Sequence, residues 1–411
     1  MGSIADPHST TLADSLEALA SQLAAQAKSI RDGTDLAPAT HHQTLVLVKA
    51  ASQIVSQPRD DLSDMMMGFV QSAAIRLFIE WDVFSNIPVE GAISYVDLAR
   101  MVGADASIIK RLCWILVANG KLQQQGHDSV AHTAKSLPYR TSNPLTAMMK
   151  MGYDEYLPSI TALLDYYKTF GRTEPTGKLH TVKAFAVGQP ERTVSDLLNE
   201  QPERIANMML AMTAMEHMYP HSGVYDFSWV ASWRASNGDE GKSRPLIVDV
   251  GGAKGFTLQA ICKDTPGLPI TQCVLEDLPE VIDLVKSTGD SSIKSARLLS
   301  MDFHKGQPVQ GALVYLLRRC LHDFGDDDCV TILKHIAEAM APDSKLLIGD
   351  TVIQDPPSPA GAMVDFFLST IGGKERTLDG FRQVVAQAGL RVTGVFPAKQ
   401  GDFTFMECVK A

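Results

Sequence analysis

Two glycines and then a third follow an apolar run in the stretch LIVDVGGAKGF, and the chain turns helical directly after Gly255. Glycine at such a strand-to-helix corner lets the backbone turn sharply and lets a ligand come close to it. The apolar run ends at Asp249, and Gly251, Gly252 and Gly255 form the corner; the spacing differs from the GxGxxG of dinucleotide sites. Asp277 stands at the tip of the next apolar run, ITQCVLED. A carboxylate there can accept hydrogen bonds from both hydroxyls of a ribose. The third run ends in Met301-Asp302-Phe303, a carboxylate and an aromatic face suited to the amino group and ring of adenine. Successive strand ends thus predict a nucleoside site. Past the fourth run, in LLRRCLHDFGDDD, Arg318 and His322 fall on the same rim, where open α/β sheets bind ligands. An imidazole titrates near neutral pH, so His322 is the candidate proton acceptor. Asp326, Asp327 and Asp328 serve to cap and charge-match the helix that follows.

These residues need a scaffold. From 244 onward, near-continuous apolar strands alternate with amphipathic helices, which predicts an α/β domain with a parallel sheet covered on both faces. The last two strands, LRVTGVF and FTFMECVK, are close enough to pair as an antiparallel edge. Upstream, residues 145–235 read as helical and rich in methionine. Met148, Met149 and Met151, then Met208, Met209, Met212, Met215 and Met218, fit either core or an adaptable apolar wall for a substrate. Between 70 and 140 a helical run, Ala73 to Phe84, precedes a helix capped by Ser94 and ended by Gly103. A second helix closes at Gly120, and KLQQQGHDSVAHT reads as a two-stranded wing, so this region is a winged helix. His132 reads as a wing residue bonded locally. Leu12, Leu16, Leu19 and Leu23 line one face of an N-terminal helix, to pack within the chain or against a partner. The domain division is therefore 1–145, a helical arm with the winged helix, and 146–411, a nucleoside-binding domain with a helical substrate-pocket segment at 146–235.

Several classes fall away on composition. A formal charge of −10 disfavours nucleic acid, which is held by dense Lys and Arg. The second helix of the winged region carries only Lys110 and Arg111 among apolar residues, too few polar groups to read a groove. Cys113, Cys262, Cys273, Cys320, Cys329 and Cys408 show no CxxC spacing, which predicts reduced thiols and no metal site. No apolar run approaches the roughly 20 residues that span a bilayer. MGSIADPHS lacks a signal core and places Asp6 where myristoylation wants Ser or Thr. The expectation is a cytoplasmic protein without a membrane partner.

The corner at Asp249–Gly255 resembles the D-x-G-x-G-x-G loop of class I S-adenosylmethionine methyltransferases. From 246 to 380 the chain is similar to the small-molecule O-methyltransferases of plants and fungi. VDVGG, EDLPEVI, MDF, RRCLHDF and GGKERT stand in that family's order at about its spacing. The resemblance implies a Rossmann-like class I sheet, S-adenosyl-L-methionine as cofactor, and a winged-helix region that builds a homodimer. It places His322 at the general base, flanked by Asp350 and Glu375, and Asp277, Asp302, Phe303 and Arg318 at cofactor contacts. Ala253 replaces the middle glycine, Phe324 replaces a Trp, and Asp350 replaces a Glu and is one methylene shorter.

The expected reaction is methyl transfer to a hydroxyl of a small aromatic or polyketide-derived molecule. A neutral phenol or enol must lose its proton as the C–O bond forms, and His322 would take it. Asp350 and Glu375 would hold the ring in one tautomer. A second expectation keeps the cofactor bound as fixed positive charge for pericyclic or dehydration chemistry, which the shorter Asp350 and altered loop suit.

Overall fold

A computed structural model describes residues 7–32, 38–214, 219–399 and 401–411. The chain divides into two compact units, Met1–Leu137 and Pro138–Ala411.

In the first unit, helices α1 (Pro7–Arg31) and α2 (Pro38–Val55) are bridged by Gln26 donating to Gln43. Leu16, Leu19 and Leu23 are half-buried and Leu12 is exposed, so the leucine stripe is only partly covered. Helix α3 (Pro58–Glu80) starts well before the predicted Ala73, with Asp60 and Asp61 in its first turn. It ends where Asp82 takes φ 55°, and the short α4 (Val83–Asn86) follows. Among the described residues α3 is the one helix long and apolar enough to cross a bilayer by composition. Met65, Met66 and Phe69 stand more than half exposed on it.

Helix α5 (Tyr95–Val102) begins as its capping residue predicts, with the Ser94 hydroxyl accepting from Asp97 N–H at 3.0 Å, and ends at Gly103 with φ 66°. Asp105 caps α6 (Ala106–Ala118). Strands β1 (Ile93–Ser94), β2 (Leu122–Gln125) and β3 (Ser129–His132) form an antiparallel sheet in the order β1-β3-β2. Helix α6 buries Ile109, Leu112, Cys113 and Leu116 but leaves Ile108 and Trp114 outside, so it is less enclosed than its composition suggests. His132 bonds locally only in part: Nδ1 meets the Ser136 hydroxyl, but Nε2 meets the carbonyl of Phe84, 48 residues earlier in the chain.

The second unit opens with α7 (Pro144–Met151), a π-turn at Gly152–Tyr156, α8 (Leu157–Phe170), α9 (Val182–Ala186), α10 (Val194–Asn199), α11 (Pro202–Thr213), α12 (Ser228–Ser236) and α13 (Gly238–Ser243). The methionine stripe is divided. Met151 is buried with Ala147 and Ala211, Met208 packs partly against them, and Met209 and Met212 face outward. Met215 and Met218 lie outside the described residues.

The sheet consists of β4 (Ile247–Val250), β5 (Val274–Asp277), β6 (Arg297–Ser300), β7 (Val314–Arg318), β8 (Lys345–Thr351), β9 (Leu390–Pro397) and β10 (Phe403–Lys410). Its order is β6-β5-β4-β7-β8-β10-β9, with β6 through β8 parallel and β10 antiparallel to both its neighbours. The last two strands pair as the antiparallel edge that the sequence predicts, with β10 next to β8 and β9 outermost. The first four residues of β10 are all buried, whereas β9 alternates buried and outward positions, so β9 takes the edge. Helices α14 (Phe256–Asp264), α15 (Pro279–Thr288), α16 (Ser291–Lys294), α17 (Asp326–Ala339), α18 (Pro359–Ser369) and α19 (Leu378–Gln387) complete the unit. Strand alternation splits the core into two layers. Leu317 joins Tyr315, Ile336 and Phe381 on one face, and Leu316 joins Leu258, Ile282 and Phe405 on the other. The first strand, β4, has β5 on one side and β7 on the other, so a crevice opens at their carboxyl ends.

Candidate active site

The glycine corner sits in that crevice, and each glycine has its own physical reason. A Cβ on Gly252 would lie 2.5 Å from a Leu275 methyl and 2.6 Å from the Asp249 carboxylate. Gly255 has φ 75°, and a Cβ there would meet Ile293 at 2.3 Å. Gly251 has φ 69° and faces Cys320 and Phe303. The N–H groups of Gly251 and Gly252 both donate to the carbonyl of Glu276, at 2.9 and 3.1 Å, which ties the corner to the end of β5. Ala253 takes φ 49°, a left-handed conformation that costs a non-glycine residue about 1–2 kcal/mol. Its N–H donates to Asp277 Oδ2 at 2.8 Å, and Leu278 N–H donates to Oδ1 at 2.7 Å. A carboxylate offers about four lone-pair sites, so Asp277 still has two for a ligand. Burial raises its pKa against these backbone donors.

Asp302 accepts from His304 N–H at 3.0 Å and lies 3.4 Å from Lys305, and although burial opposes its charge these partners lower its pKa. The Phe303 ring meets Phe324 edge-on at 5.8 Å. Gly251, Asp277, Asp302, Phe303 and Phe324 line one cavity of about 710 Å³, and Met208 reaches it from α11.

Asp249 and Arg318 lie below that surface. Asp249 is buried with Oδ2 unpartnered, and desolvation pushes its carboxyl up to about 7. Arg318 does not line the cavity: its Nη2 donates to the carbonyl of Tyr219, its guanidinium sits 5.3 Å from the Phe403 ring, and its Nε is buried without a partner.

At the far side, a one-turn 3₁₀ segment, Leu321–Asp323, carries His322, which is 7% exposed. Nδ1 lies 3.1 and 3.3 Å from the two oxygens of Asp350, and Nε2 lies 3.4 Å from Asp323, which lines the cavity. Burial works against the imidazolium, but the carboxylates of Asp323 and Asp350 outweigh it, so the pKa of His322 is raised. Asp350 is fully buried at the end of β8; burial opposes its charge, yet His322 and Arg319 hold its carboxyl down at about 2. Glu375 comes near but makes no hydrogen bond to the ring. Both its oxygens are buried without a hydrogen-bond donor, its approach being 3.5 Å to Arg319, and burial and the charge of Asp350 raise its pKa.

Two neighbours escaped the sequence reading. Arg319 lines the cavity and donates to Asp350 at 2.8 Å. Arg376, 3% exposed, holds the His322 segment from behind, donating to the carbonyls of Leu321 and Phe324 and to Asp326. Gly373 belongs to the same clamp: a Cβ there would lie 2.2 Å from the carbonyl of His322, while Lys374 N–H donates to that carbonyl at 2.9 Å. The GGKERT motif carried a signal for Arg376, since an arginine beside the matched glutamate must also be placed. Nothing in sequence separated Arg319 from Arg318.

The chain is similar to known proteins in both sequence and fold. Residues 241–391 match a family model described as an O-methyltransferase domain. The methyltransferase cfoD of Aspergillus candidus is 33% identical over 87% of this chain and 89% of its own length. Among solved structures, OxaC in complex with SAH and oxaline aligns with a TM-score of 0.81 at 21% identity, covering 98% of this chain and all of that one. A pericyclic reaction enzyme aligns with a TM-score of 0.76 at 22% identity, covering 97% of this chain and all of that one.

Proposed function

This chain belongs to the S-adenosylmethionine-dependent O-methyltransferases, and on that premise we propose that it methylates a hydroxyl of a small aromatic or polyketide-derived molecule, with His322 as general base. One observation carries the reading. The ring of His322 is held through Nδ1 by a buried carboxylate, on a turn whose Asp323 and neighbouring Phe324 line the same cavity as Gly251 and Asp277.

The residues present fit the cofactor. The unpartnered Oδ2 of Asp249 and Nε of Arg318 are a buried anion and cation that suit the zwitterionic end of an amino acid. Asp277 would hold the ribose hydroxyls, and Asp302 and Phe303 the adenine. When bound, S-adenosylmethionine supplies an electrophilic methyl on a sulfonium.

With Nδ1–H donated to Asp350, the lone pair of His322 rests on Nε2, so that atom takes the proton of the acceptor hydroxyl as the oxygen gains its methyl group. Asp350 then stabilises the imidazolium. A base of this kind is typically worth about 10² to 10⁴ in rate. Met208 and Phe324 supply an apolar lining, which favours a step in which opposite charges neutralise.

We also read the exposed apolar face of α3 as the surface on which a second copy docks. Light scattering is then expected to give a dimer mass, and Met66→Asp with Phe69→Asp a monomer.

A second reading, with the cofactor retained as fixed charge, is favoured by the fold likeness to the pericyclic reaction enzyme. The experiment that tests transfer also separates the two. Purified protein is given donor with a deuterated methyl and a panel of phenolic and polyketide-like acceptors. Labelled product with S-adenosylhomocysteine supports transfer; a converted acceptor with the donor intact contradicts it.

A further inference from the structure

Arg319 occupies an uncommon position. It is a non-glycine residue at φ 55°, one step past the end of β7, and its N–H donates to the carbonyl of Gly349 on β8. Backbone strain of this kind persists where surrounding contacts over-determine it. Those contacts are present. Nη1 donates to Asp350 Oδ1 at 2.8 Å and to the Thr351 hydroxyl at 3.0 Å, and lies 3.5 Å from Glu375 Oε1. The guanidinium lies 4.2 Å from the centre of the Tyr219 ring.

The oxygen that Arg319 engages is the one nearest His322. Asp350 Oδ1 faces Arg319 Nη1 at 2.8 Å, the Thr351 N–H at 3.0 Å and His322 Nδ1 at 3.1 Å. Asp350 and Glu375 are both nearly inaccessible, and Arg319 is the cation paired with both. With His322 neutral the four groups sum to one negative charge; with His322 protonated they sum to zero. Without Arg319, two buried carboxylates would face the ring with no other Lys or Arg in ion-pair reach among the described residues, and the imidazolium would become their counterion.

We infer that Arg319 is a positioning residue for the base: sharing Asp350 with His322, it keeps the carboxylate pair ionised while leaving the imidazole free to accept the proton of the acceptor. The inference rests on the reading of His322 as general base. The groups that face His322 are Asp323 on its own turn, Asp350 from β8, Glu375 from the loop after α18, and Arg319 from the end of β7. Tyr156, from the π-turn, adds a phenol beside Asp323 whose pKa is raised by burial and then by that carboxylate. Of these, Arg319 alone opposes protonation of the ring by its charge.

The test needs no acceptor. Full-length protein labelled with ¹⁵N-histidine is titrated by long-range ¹H–¹⁵N spectra, and His322 is assigned by its disappearance in His322→Asn. Replacing Arg319 with Met is expected to raise the midpoint of His322 by about one unit or more, the usual effect of a charge a few ångströms away. Arg319→Lys, which keeps the charge, is expected to stay within about a third of a unit of the parent. Arg319→Gln serves as the neutral variant if the Met protein shows no thermal transition. A midpoint unmoved in the neutral variant, or moved equally by Lys, overturns the assignment. Failure of the premise would look different: His322→Ala would retain methyl transfer whatever the titration gave.

Discussion

The two sides of the cleft are built on opposite principles. On the nucleoside side the protein leaves polar groups unused. Asp249 Oδ2 and Arg318 Nε are buried without partners, and Asp277 has lone pairs to spare. On the base side the charged groups other than Glu375 are tied to protein: Asp350 meets Arg319, His322 and Thr351, and Arg376 clamps the turn that carries His322. The first side waits for a ligand's hydrogen bonds. The second is pre-organised, as the proposed role of His322 as a base requires. Binding and proton transfer should therefore be separable by mutation.

The largest effect is expected on the nucleoside side. Gly252→Val places side-chain atoms where Leu275 and the Asp249 carboxylate already lie, so calorimetry should show cofactor affinity reduced by more than about 100-fold, since the buried site must open to admit it. The titration of His322 should be unchanged, and a shift of its midpoint would show that the two sides are mechanically coupled. Next is Asp277→Ala. Loss of hydrogen bonds to a charged acceptor, at about 1.5–3 kcal/mol, predicts a roughly 10- to 100-fold weaker cofactor complex.

Asp249 gives the comparison a pH signature. Its carboxyl is raised to about 7 by burial, so the ionised form that suits an ammonium group is lost as pH falls through about 7. Cofactor affinity should rise between about pH 5.5 and 7.5 and then level off. Asp249→Asn should flatten that profile and cost about tenfold at pH 8. A profile equally steep in the variant would assign the proton elsewhere. The smallest effect is Ala253→Gly. Relief of the left-handed conformation, partly offset by the entropy of glycine in the unfolded chain, should raise stability by about 0.5–1 kcal/mol in a thermal melt.

The same contrast explains what could be read from sequence. The nucleoside side is formed by short contiguous segments at consecutive strand tips, so glycine spacing and the Asp277 and Asp302 positions showed in the linear pattern. The base side is assembled from β7, β8 and the loop after α18, and its wiring depends on rotamers. Asp350 and Glu375 were expected to hold the ring alike, yet Asp350 alone touches it, because Arg319 lies between the acids. Arg318 and Arg319 are adjacent and identical in type, and only the left-handed turn at Arg319 sends one of them to the cavity. In the sheet, apolar runs marked every strand, but the place of β10 followed from its burial on both faces, a pattern visible in FTFMECV once strand order is considered. The start of α3 was missed because its first half buries almost nothing, and periodicity reports burial.

The central claim is that nucleoside binding and proton abstraction occupy separate, facing halves of one cleft. It is tested most directly by measuring His322→Ala twice, for cofactor affinity by calorimetry and for transfer of a labelled methyl to an acceptor that the parent protein uses. Affinity within about twofold of the parent, with transfer reduced at least about 100-fold, is the predicted result. Transfer at the parent rate, or affinity lost in step with transfer, would contradict it.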